Sequence, residues 1–196
     1  MADIKSAREI AQEKIDAIGE ATAEERLRWK YIPQGEAMAA EYLEGKLELV
    51  EELSKQEKKA QAYIVKGIEK ALLANIGLPK DKRVETRNEK VMGALMQIKK
   101  DKKAAGAALE NITHVFGHYN GQGEQQRQQA YQSLKHDFSS RLQRAVEQQT
   151  GTAAGLDINV ESLPQFKEEW QRMLAHLDAR YLKLLEESRQ QFSKIS

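Results

Sequence analysis

The 196-residue sequence has no cysteine, which excludes disulfides, thiolate metal sites and a cysteine nucleophile and fits a reducing compartment. Proline occurs 3 times, glycine 12 times, and aromatics make up 6% of the chain. A turn-rich β fold or a large aromatic core cannot be built from that stock. Long hydrophobic runs are also missing: no window approaches the ~20 consecutive apolar residues of a membrane span. The segment Met1 to Ile10 carries charges where a secretion signal needs an apolar stretch. The expectation is a soluble cytoplasmic protein that does not enter a membrane, and the sequon Asn111-Ile112-Thr113 then reads as a chance match.

What the chain does contain is helix-forming material. Ala, Glu, Lys, Leu and Arg supply 97 of its residues, a composition of long helices or coiled coil. Ile4, Ala7, Ala11, Ile15 and Ile18 share one helical face up to Gly19, and Thr22 with Glu25 forms a capping box for a following segment. Pro33-Gln34-Gly35 predicts a stop, with a second helix from Glu36 to about Ile76, about 60 Å long at 1.5 Å per residue. Asn75-Ile76-Gly77-Leu78-Pro79 reads as its C-terminus and Lys80 to Arg83 as a charged tip. A seam then runs through Val91, Leu95, Ile98, Lys102, Ala105, Leu109, Ile112, Phe116 and Tyr119, with Lys102 the only charged intruder.

Two stretches lack large apolar residues, Ser54 to Ala62 and Lys99 to Ala108. Counting back from a turn near residue 80 places them side by side in an antiparallel hairpin, as a waist near Lys58 and Lys102. Either close helix approach over Ala and Gly or a docking point explains such a waist. Asn120-Gly121-Gln122-Gly123 predicts the end of the third helix. A fourth then follows from Glu124 to Gln149, with Tyr131, Leu134, Phe138, Leu142 and Ala145 on its apolar face. Nine of the 18 glutamines fall between Gln122 and Gln149 and read as a solvated helix face. Residues 150–161 read as a linker in which Leu156, Ile158 and Val160 alternate. Residues 162–193 read as a last helix, capped by Ser162 with Gln165 and striped by Phe166, Trp170, Leu174, Leu177, Tyr181 and Leu184. The predicted fold is all-α: one elongated bundle of four to five helices over residues 1–196, with a long antiparallel, coiled-coil-like hairpin over 36–119.

Catalytic motifs are missing. There is no nucleophile elbow, phosphate loop, H-E-x-x-H or S-x-x-K, and Gly121-Gln122-Gly123 follows no strand. Di-iron bundles need Glu three residues before His, whereas His114, His118, His136 and His176 follow Asn111, Val115, Ser133 and Met173. Glu110, His114 and His118 are the best ligand-like set, yet the seam places them on the outer side of their helix. No metal or other cofactor is expected, and the balance leans away from an enzyme.

Two clusters point to partners. Arg26, Arg28, Trp29, Lys30 and Tyr31 combine cations and aromatic rings, which suits stacking on a base or a membrane surface, or packing of a helix end on its neighbour. The net charge of +1 is segregated: −6 over residues 1–54, +8 over 55–106 and −1 over 107–196. The basic segment holds Lys55, Lys58, Lys59, Lys66, Lys70, Lys80, Lys82, Arg83, Arg87, Lys90, Lys99, Lys100, Lys102 and Lys103. These suit an anionic partner, or compensation by the acidic first 54 residues within the chain or from a second subunit. The leading expectation is a non-enzymatic helical scaffold or adaptor that binds protein or self-associates, with a dimer to complete a narrow core. Binding of RNA, DNA or a ribonucleoprotein through the basic arm is the alternative, and a metal-binding bundle the third reading.

Overall fold

The computed structural model describes residues 22–150 and 159–195; the predicted face from Ile4 to Ile18 and the alternation at Leu156 and Ile158 lie outside them. Every regular element in the described residues is helical. The α-helices are α1 (Ala23–Leu43), α2 (Leu49–Ser54), α3 (Lys58–Ala74), α4 (Lys82–Ile98), α5 (Lys102–His118), α6 (Glu124–Thr150) and α7 (Pro164–Ser193). A π-turn, Tyr119–Gly123, joins α5 to α6, and a 3-10 turn, Val160–Ser162, precedes α7. The chain divides into two compact units, residues 1–74 and 75–196.

In the first unit α1 and α3 cross in close contact. A Cβ placed on Gly35 would lie 2.1 Å from the Ile64 carbonyl oxygen, and one on Gly67 would lie 2.1 Å from that of Ile32. Glycine at both positions lets the two backbones touch. Ala39, Ile64, Ile68 and Leu72 are fully buried around this crossing, and Lys70 bridges to Glu36 at 2.7 Å.

The crossing also explains a departure from the predicted stop at Pro33. The capping box forms as read, with Glu25 N–H donating to Thr22 Oγ1 at 3.2 Å and Thr22 N–H to Glu25 Oε2 at 2.8 Å, but α1 runs through Pro33 to Leu43. Proline interrupts the helix ladder at a cost of about 3 kcal/mol. Burial of Gly35 against α3 two residues later keeps the chain helical across it.

The helix expected from Glu36 to Ile76 is broken twice. Gly45, at φ 78°, closes a Schellman motif at the end of α1, with Lys46 N–H donating to Glu41 O and Gly45 N–H to Tyr42 O, both at 2.9 Å. The second break, at Gln56 and Glu57, falls inside the apolar-poor stretch, where Gln61 donates to the carbonyls of Leu53 at 3.0 Å and Gln56 at 3.1 Å.

The seam from Val91 to Tyr119 is interrupted as well. Lys99 turns extended, and Asp101 caps α5 by accepting from Ala104 N–H at 2.9 Å. Lys102, the intruder, stands at the first position of α5. Its Nζ donates back to the last carbonyls of α4, Met96 at 2.6 Å and Gln97 at 2.9 Å. The hairpin over 36–119 is therefore part of α1 followed by α2 to α5, and a waist counted along two unbroken helices loses its basis. Lysine-rich, apolar-poor sequence here marks where helices end.

Within the second unit α7 runs antiparallel along α5 and α6. Phe166 meets Tyr131 at 5.6 Å and Phe138 at 5.4 Å between ring centroids, Tyr181 meets Tyr119 at 5.3 Å, and Phe192 lies under the Lys99 ammonium at 5.2 Å. Lys99 Nζ also donates to the Ile195 carbonyl. The predicted stripe holds at Phe166 and Tyr181, but Leu184 is 40% exposed while Leu185 is buried. The expected Ser162–Gln165 cap is replaced by Pro164 at the first turn of α7, and Ser162 Oγ donates to Asn159 O instead. Residues 75–81 are pinned by the buried Asn88, which accepts from Gly77 N–H at 2.9 Å and donates to Gly77 O at 2.7 Å. Arg189 adds a bond to the Ile76 carbonyl.

Candidate functional site

Asn120-Gly121-Gln122-Gly123 does not end a helix. The chain stays helical from Lys102 to Thr150 and widens there into the π-turn. Such turns are stable only where tertiary contacts support them, and they recur at functional sites. Gly123 is buried against Tyr181, whose Oη would lie 3.0 Å from any Cβ. The Tyr119 carbonyl accepts from Arg127 Nη2 at 3.1 Å. The Arg127 guanidinium also lies 4.1 Å from the centre of the Tyr119 ring and bonds Glu124 Oε2 through Nε at 3.0 Å and Nη2 at 2.8 Å. One arginine thus closes the turn, covers the tyrosine and holds the acid, and its bond to Glu124 lowers that carboxyl below its ordinary pKa.

Beside the turn lies a cleft of about 590 Å³ whose wall includes Lys80, Tyr119, Glu124, Arg127, Gln171 and Asp178. Asp178 is only 5% exposed. Its Oδ2 is 2.6 Å from Lys80 Nζ, while Oδ1 has no hydrogen-bond partner among the described residues. Burial, reinforced by the Asp178 charge and opposed by Arg127, pushes the Tyr119 phenol up to about 12. An unfolded tyrosine ionises near 10, so between about pH 10 and 12 the unfolded chain releases a proton that the folded chain keeps. The stability Tyr119 contributes is therefore complete below pH 10 and lost as pH rises towards 12. Tyr119→Phe is expected to flatten that alkaline loss, as read from urea midpoints between pH 9 and 12, and the late-titrating absorbance at 295 nm, to which the raised Tyr42 and Tyr131 also contribute, should shrink by one tyrosine in the variant.

A second cleft, of about 780 Å³, shares Glu124 and Arg127 and is bordered by Tyr131, Gln128, Gln132 and Trp170. Tyr131 donates to Glu161 Oε1 at 2.8 Å and Lys135 bonds the same oxygen at 2.7 Å.

Residues singled out from sequence fare unevenly. Lys55 pairs with Glu52 at 2.8 Å, Lys82 with Glu85 at 3.2 Å and Lys80 with Asp178. Lys99 is buried; Lys102 is exposed and caps α4, and Lys58, Lys59, Arg83, Arg87, Lys100 and Lys103 are exposed as well. Glu110 and His114 stand 4.0 Å apart, each side chain 72% exposed, and His118 is exposed. No group of three or more potential metal ligands occurs among the described residues, and no helix among them is long and apolar enough to cross a membrane.

Trp29 is 65% exposed, and Lys30 Nζ lies 5.0 Å from the Tyr31 ring centre. With Arg28, Ile32 and Pro33, Trp29 borders a groove of about 480 Å³ whose two acids are engaged, Glu25 in the cap and Glu36 with Lys70. Sequence reading missed Asp178 and Arg127. Asp178 carried a signal, since it falls on the spacing of Leu174, Tyr181 and Leu185, where a lone carboxylate interrupts an apolar stripe. No curated protein and no solved structure matches the chain. Residues 50–194, which contain the whole π-turn cleft, match the model described as a family of unknown function (DUF6657), and the chain belongs to that family.

Proposed function

We propose that the protein is a non-enzymatic helical adaptor that binds an acidic segment of a partner protein through the Trp29 face of α1. The observation that carries this reading is the exposure of Trp29. Tryptophan and arginine are the residues most enriched at the energetic centres of protein interfaces. Arg26, Arg28 and Lys30 surround the ring in sequence, and Glu25 and Glu36 beside it are already held by Thr22 and Lys70. The face is thus biased towards an acidic ligand with an apolar anchor. The alternative, nucleic acid on the basic segment, is left with fewer lysines, because Lys80, Lys99 and Lys102 are tied to groups within their own unit.

Capture from the native cell on immobilised full-length protein tests this. A partner retained after nuclease treatment and bound at least about 30-fold more weakly by Trp29→Ala, the loss of a 2 kcal/mol hot spot, is the expected result. Capture that disappears with nuclease, falls steeply with salt and is lost in a Lys58, Lys59, Lys100, Lys103→Glu variant supports the nucleic-acid reading instead.

A further inference from the structure

We propose that the cleft beside the π-turn binds a primary ammonium group, with Asp178 as its receptor and Lys80 as an internal occupant that the ligand displaces. The site is separate from the Trp29 face and stands on different observations.

Asp178 is fixed on α7, almost wholly buried, with one oxygen bonded to Lys80 and the other without a partner among the described residues. The Tyr119 hydroxyl lies beside the same carboxylate and feels its charge, yet no donor among the described residues completes Oδ1, and a buried carboxylate left short of hydrogen bonds is costly. Its present partner is placed differently. Lys80 lies outside any helix, between α3 and α4, and its side chain is 56% exposed. It can turn to water without disturbing a helix, whereas Asp178 cannot follow it.

The surroundings select the sign of the ligand. In the cleft wall Glu85 is paired with Lys82 and Glu124 with Arg127, which leaves Asp178 and its exposed partner Lys80, and Arg127 is further committed to the Tyr119 carbonyl and the Tyr119 ring. An anion would meet these acids with no uncommitted cation to receive it. A divalent ion would find too few ligands, since no group of three exists among the described residues. An ammonium already fits, as the Lys80 Nζ contact of 2.6 Å demonstrates. The cleft has the volume of a small-molecule site. The group could be carried by a free alkylamine or by a lysine side chain of another protein.

Isothermal titration and thermal unfolding of the full chain test the proposal, with putrescine and Nα-acetyl-lysine methylamide as probes. Lys80→Ala empties the site and should bind a probe at least 10-fold more tightly than the wild type, with a rise in Tm that the wild type lacks. Adding Asp178→Asn to Lys80→Ala should abolish both effects, and 1,4-butanediol should bind at least 10-fold more weakly than putrescine. The tighter of the two amine probes identifies the source, and tighter binding of either supports the shared chemistry. If Lys80→Ala binds neither probe, or neither more tightly than the wild type, or if the double variant binds as well as the single one, the proposal is overturned. Should the double variant fail to fold by circular dichroism, the Lys80→Ala comparison decides alone.

Discussion

Gly67→Ala is expected to cost the first unit about 3 kcal/mol or more. The added methyl would sit 2.1 Å from the Ile32 carbonyl oxygen, which belongs to the backbone of α1 and cannot rotate aside. Relief requires α1 and α3 to separate along their whole contact, thinning the packing of Ile64, Ile68 and Leu72 around it. Overpacking of a tight core commonly costs about 1–3 kcal/mol, and a clash with rigid backbone lies at or beyond the upper end. Gly35→Ala should behave alike, since it meets the Ile64 carbonyl at the same distance. Gly93→Ala is the control. Nothing lies within 4 Å of its added methyl in the middle of α4, so it should stabilise by about 0.5–1 kcal/mol through helix propensity. Urea unfolding followed by helical circular dichroism checks the three. Wild-type stability of Gly67→Ala would show that the helices do not cross at these glycines.

The second large effect is expected from Phe192→Ala. Phe192 is a fully buried aromatic side chain near the end of α7, and its ring lies 5.2 Å from the Lys99 ammonium. Truncating a buried Phe typically costs about 3–5 kcal/mol through lost transfer energy and a residual cavity. The change here also removes the aromatic face from a buried cation, which places the expected loss in the upper half of that range. Leu184→Ala, eight residues earlier on the same helix, should stay within about 0.5 kcal/mol because Leu184 is half in solvent. The contrast tests the rotation of α7, since the stripe read from sequence places Leu184 in the core. Comparable losses for both variants would mean that α7 packs in that other register.

Which features were legible follows from where the decisive interactions lie. The all-α class, the Thr22–Glu25 cap, the end of α3 at Ala74 and the aromatic stripe from Phe166 to Tyr181 are set by neighbours within one or two turns, so composition and spacing reveal them. Pro33 inside α1 is different. Its local preference is overruled by the crossing at Gly35 and Gly67, residues of two helices that no local pattern connects. Gly45 was hidden because Leu43, Leu47 and Val50 kept helical spacing across it, and only its positive φ ends the helix. Asn120-Gly121-Gln122-Gly123 looked like a stop for the opposite reason. Two glycines usually end a helix, and here Tyr181 and Arg127, from α7 and α6, hold the chain in a π-turn.

The candidate site divides the same way. The cluster around Trp29 was legible from residue types alone, although its exposure was not. The π-turn cleft assembles Lys80, Tyr119, Arg127 and Asp178 from four separate segments, and only the misplaced carboxylate on the α7 stripe announced it. In the basic segment, lysines that end helices, such as Lys99 and Lys102, carry the same charge in the sequence as the other lysines, so their local bonds were not legible there.

The central claim, that the exposed Trp29 face receives a protein, is tested most directly by placing a photo-crosslinking phenylalanine analogue at Pro33, exposed on the same groove, with Trp29 left in place, and irradiating the native cell. The account predicts a discrete protein adduct that survives nuclease treatment and weakens when Arg28 is also changed to Glu. An adduct to nucleic acid, or none beyond the protein alone, would contradict it.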